Sequence, residues 1–166
     1  LKHVDLFILA LPTNYDEKRN FFDTSILEKV INDISTLTTT ATILIKSTIP
    51  VGFTDKVSKK YKNRIIFSPE FLREGSSIRD NMQPDRIVIG DQGEIGNSIG
   101  QIFKELCKNN PVVYLVNSKS AESIKLFSNS YLAMRASFFN ELDSYCIENN
   151  IETEEIINGV CADKRI

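Results

Sequence analysis

The segment Ser68-Pro69-Glu70-Phe71-Leu72-Arg73-Glu74-Gly75 places two carboxylates and a guanidinium directly after the apolar run Arg64-Ile65-Ile66-Phe67. Carboxylates accept protons, a guanidinium holds anions, and in an open parallel sheet ligands collect outside the carboxyl ends of the strands. A hydrated loop is the plainer alternative for charged residues at such a place. Lys125 and Asn129 form a second chemical pair. Their spacing puts both side chains on one face of a helix, where an ammonium and an amide can donate to an oxyanion; a solvated helix face is the alternative. Ser47 and Thr48 bring hydroxyls to the end of another apolar run, and Thr13 follows Pro12 at the end of the first. Taken singly, each is ordinary turn chemistry.

These groups need elements to position them. Asp5 to Leu11 is an unbroken apolar run that predicts a strand buried on both faces, hence a parallel sheet. Ile26, Leu27, Val30, Ile31, Ile34 and Leu37 recur at helical spacing, and Ser25 with Glu28 predicts a capping box at the start of that helix. Ala41 to Lys46 reads as a second buried strand, followed by a Lys-rich helix from Thr54 to Tyr61. Arg64 to Phe67, Arg86 to Ile89 and Val112 to Val116 are further strands, and Ile95, Ile99, Ile102, Phe103 and Leu106 mark another helix. Ser120 to Glu148 contains neither Gly nor Pro and predicts one long helix, with a shorter one from Thr153 to Val160. The fold class is therefore α/β, with a sheet domain over 1–117 and a helical domain opening at 118–166. Ile124, Phe127, Tyr131, Met134 and Phe138 form a stripe along the long helix that suits either intrachain core or a dimer seam.

Composition narrows the function classes. The 166 residues are 42% hydrophobic and 25% charged, enough for a folded core. Twenty basic and 22 acidic side chains leave a formal charge of −2, so composition gives no basic surface for nucleic acid or anionic lipid. No run reaches the roughly 18 apolar residues that span a bilayer. Cys107, Cys146 and Cys161 lack CxxC spacing, and one His cannot complete a zinc cluster with them, so no metal site is expected. They read as buried structural thiols in a reduced, cytoplasmic setting. Gly90, Gly93, Gly96 and Gly100 do not follow the GxGxxG spacing of a phosphate loop.

Together the pieces are more specific. Pro12-Thr13-Asn14-Tyr15, Phe22-Asp23-Thr24, Lys46 to Gly52, Ser68 to Gly75, Lys125 to Asn129, Phe139 to Asp143 and Asp163 to Ile166 occur in the order found in UDP-glucose 6-dehydrogenases. The chain resembles that family from end to end. The resemblance implies NAD as cofactor, UDP-glucose as substrate, and a two-step oxidation of the sugar C6 alcohol to UDP-glucuronate, with polysaccharide synthesis as the setting. It implies that Thr13, Thr48 and Glu74 face the cofactor, with Thr48 also ordering water near the reacting carbon. By the same resemblance Glu70 activates water for thioester hydrolysis, and the backbone of Phe71, Leu72 and Arg73 holds the nucleotide sugar. Lys125 and Asn129 are then the oxyanion donors, and Arg165 reaches the substrate of a neighbouring subunit, so that the long helix becomes a homodimer core.

The family's phosphate loop would precede Asp5, and its nucleophilic Cys would follow Ile166; Cys161 is not that residue. The expectation is an internal segment: the C-terminal half of a Rossmann-like domain plus the start of a helical dimerisation domain, inactive alone. Two alternatives stand beside it. GDP-mannose dehydrogenases share a similar Pro-Glu-Phe-Leu-Arg-Glu stretch, and a non-catalytic module for nucleotide-sugar binding or dimerisation needs neither loop nor nucleophile.

Overall fold

The computed structural model describes residues 3–18, 21–73 and 75–166. In chain order the elements are β1 (Leu6–Leu9), β2 (Tyr15–Asp16), β3 (Phe21–Phe22), α1 (Ser25–Leu37), β4 (Thr42–Ile45), α2 (Phe53–Ser58) and β5 (Ile65–Phe67). They continue with α3 (Ser77–Met82), β6 (Arg86–Ile89), α4 (Glu94–Leu106), β7 (Val112–Leu115), α5 (Ser118–Asn149) and α6 (Thr153–Cys161). Two compact units are distinguished, 1–126 and 127–166, and α5 contributes to both.

In the first unit, β4 lies between β1 and β5 and pairs with each in parallel, with Phe7 opposite Ile43 and Ile43 opposite Ile65. β6 and β7 form a second parallel pair, and Gly90 N donates to Phe67 O at 2.8 Å to join the carboxyl ends of β5 and β6. Every residue of β4 and β5 is buried. Their β-branched and aromatic side chains fill both faces of the pleat: Ile43, Ile45 and Phe67 pack with Leu27, Ile31 and Val57 on one side, while Leu44 and Ile66 pack with Ile89 and Ile99 on the other.

Three local expectations are corrected. The run expected to be buried on both faces leaves Ile8 52% exposed, because among the described residues β1 pairs only with β4 and α4 sits over β6 and β7 instead. The capping box at Ser25 and Glu28 does not form: helix α1 begins one residue earlier than that pattern requires, with Thr24 at the cap donating its hydroxyl to Glu28 Oε1 and Asp23 Oδ1 accepting from Ser25 N. Cys161 is exposed, unlike the buried Cys146 and half-buried Cys107, since it falls in the last turn of α6. The hairpin β2–β3 and the short helix α3 were not anticipated; elements this short carry no readable period.

The second unit holds the rest of α5 and all of α6. Asn150 turns the chain through a left-handed φ of 55°, Ile151 N donates to Cys146 O at 2.9 Å, and Thr153 donates to Asp143 at 2.8 Å. Phe127, Tyr131, Met134 and Phe138 stand exposed along this part of α5. Among the described residues no helix is long and apolar enough to cross a membrane.

Candidate functional site

Three parallel strands deliver three loops to one rim: Leu11 to Asn14 after β1, Lys46 to Thr48 after β4, and Ser68 to Leu72 after β5. Side-chain hydroxyls tie the first two together. Ser47 Oγ accepts from Leu11 N at 2.7 Å, and the Thr13 hydroxyl donates to Thr48 O at 2.7 Å. The rim encloses a cavity of about 490 Å³ lined by Thr13, Thr48, Lys46, Glu70, Leu72 and Lys125, among others.

Glu70 stands between two ammonium groups. Lys46 Nζ lies 3.9 Å from its carboxylate, and Lys125 Nζ donates to its backbone carbonyl at 2.6 Å. Lys46 emerges from the buried end of β4 with its side chain only 15% exposed, so burial pushes its pKa below the ordinary lysine value while the Glu70 carboxylate pulls the other way. Burial likewise lowers Lys125, opposed by Glu70 and reinforced by the positive Arg86. Phe71 gives these cations an aromatic face: the Arg86 guanidinium sits 4.0 Å from the ring centroid and Lys125 Nζ 5.4 Å. A second cavity of about 300 Å³ lies beside Glu70, Phe71 and Leu72, and the buried Ser68 hydroxyl on its wall has no partner among the described residues.

The loop after Glu70 is held by a residue that sequence reasoning passed over. Asp80, in α3, accepts from Arg73 N at 2.8 Å, from Arg73 Nε at 3.1 Å and from Arg73 Nη2 at 2.6 Å. These bonds hold the Asp80 pKa down at about 2, the side-chain bond being the largest cause. The Arg73 guanidinium is thereby committed to folding its own loop, while Ser68 to Leu72 of the same segment line the second cavity.

Of the residues singled out from sequence, Thr13, Thr48, Glu70, Leu72 and Lys125 line one cavity, and Phe71 lines its neighbour. Glu74 lies outside the described residues. Asn129 follows Lys125 by one turn of α5 but belongs to the second unit, where it is exposed; Arg165, also there, is paired with Asp163. Lys46 was missed as a site residue. Its signal was available, a lone charge closing a mostly apolar strand, since such a group must sit at the strand end or be paired. Among the described residues no group of three or more His, Cys, Asp or Glu is placed to hold a metal ion.

The chain is 47% identical to the UDP-glucose 6-dehydrogenase of Campylobacter jejuni over 166 residues, which cover 99% of this chain and 42% of that protein. It is 44% identical to the UDP-glucose 6-dehydrogenase of Streptococcus pneumoniae, covering 99% of this chain and 44% of that one. A UDP-glucose dehydrogenase structure from Pyrobaculum islandicum superposes with a TM-score of 0.84 at 26% identity, covering 99% of this chain and 40% of the other. The chain thus spans less than half the length of the relatives it matches. Residues 1–109 match the NAD binding domain of the UDP-glucose/GDP-mannose dehydrogenase family and residues 119–166 its central domain, so the chain belongs to that family.

Proposed function

We propose that this chain forms part of a dehydrogenase that oxidises the C6 alcohol of UDP-glucose to the carboxylate of UDP-glucuronate. The observation that carries the reading is the convergence of Thr13, Thr48, Glu70 and Lys125 on one cavity at the carboxyl ends of β1, β4 and β5. NAD suits this place: the two lysines offer charge to an anionic dinucleotide, and the paired Thr13 and Thr48 segments offer hydroxyl and backbone groups for hydrogen bonds. When bound, NAD takes up a hydride at each of two steps, so that alcohol, water and two NAD yield carboxylate, two NADH and three protons.

The residues of the chain do the rest. The Lys125 ammonium, already fixed against Glu70 O, faces negative charge that develops on the C6 oxygen, and Asn129 on the next turn is its partner in that role. Glu70 takes a proton from the water that completes the second step, and Thr48 orders that water. The backbone of Phe71, Leu72 and Arg73, clasped by Asp80, receives the nucleotide sugar, and Glu74 faces the cofactor. The exposed stripe of Phe127, Tyr131, Met134 and Phe138 supports a homodimer seam, with Arg165 serving the neighbouring site. Cytoplasmic location and a place in polysaccharide synthesis complete the reading.

Calorimetric titration of the natural-length gene product that contains these residues tests it. Micromolar binding of NAD and UDP-glucose, weakened about tenfold or more by Lys125→Ala, is expected. Binding of GDP-mannose in preference to UDP-glucose would overturn the substrate, and binding of neither would overturn the activity.

A further inference from the structure

One buried carboxylate of the first unit does not line the cavity. Glu122, in the first turns of α5, is 1% exposed, and its two oxygens each accept one backbone amide: Oε2 from Gly52, and Oε1 from Thr54 at 2.8 Å. Those amides open α2, directly after the Ser47 to Val51 loop that carries Thr48. Glu122 and Lys125 are three residues apart on α5, hence neighbours on its surface. A buried carboxylate is tolerated only when hydrogen-bonded, and here both bonds come from the amides that open α2, directly after the Thr48 loop. On its other side the same loop is held by Thr13, through Thr48 O.

We propose that Glu122 is a positioning residue: it sets the Thr48 loop in register with the turn of α5 that presents Lys125, fixing the span between two walls of the cavity. The inference rests on the proposed dehydrogenase reading for its consequence, though not for its geometry. An amide cannot replace the carboxylate, because Gln has one acceptor oxygen and would turn its NH2 toward the second N–H.

Glu122→Gln and Glu122→Asp are compared in the natural-length gene product. Amide hydrogen exchange at Gly52 and Thr54 is expected to quicken at least about tenfold in Glu122→Gln while Ile43 to Ile45 stay protected. Turnover should fall about tenfold, yet by less than about twofold when Glu122→Gln is added to Thr48→Ala, since Glu122 acts through the loop that Thr48 occupies. Glu122→Asp, with the carboxylate kept but the reach shortened, should fold and free one of the two amides. Unchanged exchange at Gly52 and Thr54, losses that multiply in the double variant, or unfolding of both single variants would each overturn the positioning role. A wild-type protein that binds neither NAD nor UDP-glucose counts instead against the dehydrogenase reading, and the exchange result then judges the Glu122 anchor alone.

Discussion

The ammonium of Lys125 donates to the backbone carbonyl of Glu70 at 2.6 Å, across 55 residues of sequence. The opening turns of α5 are thus fastened to the loop that follows β5. The bond leaves Lys125 with further N–H donors and holds the Glu70 peptide still, so a single side chain both shapes the cavity and charges it. Lys125→Met keeps the aliphatic length and removes the charge. Turnover in Lys125→Met is expected to fall by about 10²–10³, the usual effect of losing an oxyanion donor. Lys125→Arg is not expected to rescue it, because a planar fork does not replace a compact ammonium at this carbonyl. Steady-state kinetics on both variants decide the point.

Asp80 predicts an acid-sensitive loop. Its pKa in the folded chain is about 2, below the ordinary 3.8, because Arg73 donates to it from side chain and backbone. A carboxylate with a depressed folded pKa stabilises fully above its unfolded value, and that contribution is lost as pH falls through the folded one. The clasp should therefore weaken between pH 3.8 and about 2. Comparing urea midpoints of wild type and Asp80→Asn across this window should show their difference shrinking toward low pH. A constant difference would mean that the Arg73 contact does not depend on charge.

Phe67 is fully buried in the larger core, a cluster that also holds side chains from β4, α1 and α2. Truncation to Ala leaves a void that a close-packed sheet cannot collapse around. Phe67→Ala is expected to cost about 3–5 kcal/mol in denaturant unfolding.

Two glycines should respond in opposite directions to the same methyl group. A Cβ on Gly96 would clash with the backbone carbonyl of Asp91, in the turn where Gly96 N donates to the Asp91 carboxylate, so Gly96→Ala should destabilise the chain. A Cβ on Gly159 meets nothing within 4 Å inside α6, and Gly159→Ala should stabilise by about 0.5–1 kcal/mol through helix propensity. Thermal unfolding of the pair reads both signs.

The longer strands and helices were legible because each is long enough to show its period. The apolar run at Ala41 to Lys46 became β4, and the stretch from Ser120 without Gly or Pro lies within the 32-residue α5. The candidate site was legible as motifs: Thr13, Thr48, Glu70 and Lys125 were named from residue type and position, and they line one cavity. What the sequence left open lies in pairings that no local pattern encodes. That Lys46 would face Glu70, that Asp80 would clasp Arg73, and that Glu122 would cap amides some 70 residues away follow from how parallel strands bring distant loops to one rim. Periodicity reports which face of an element is apolar, whereas the partner of a buried charge is decided only when packing removes water and leaves it one set of donors within reach.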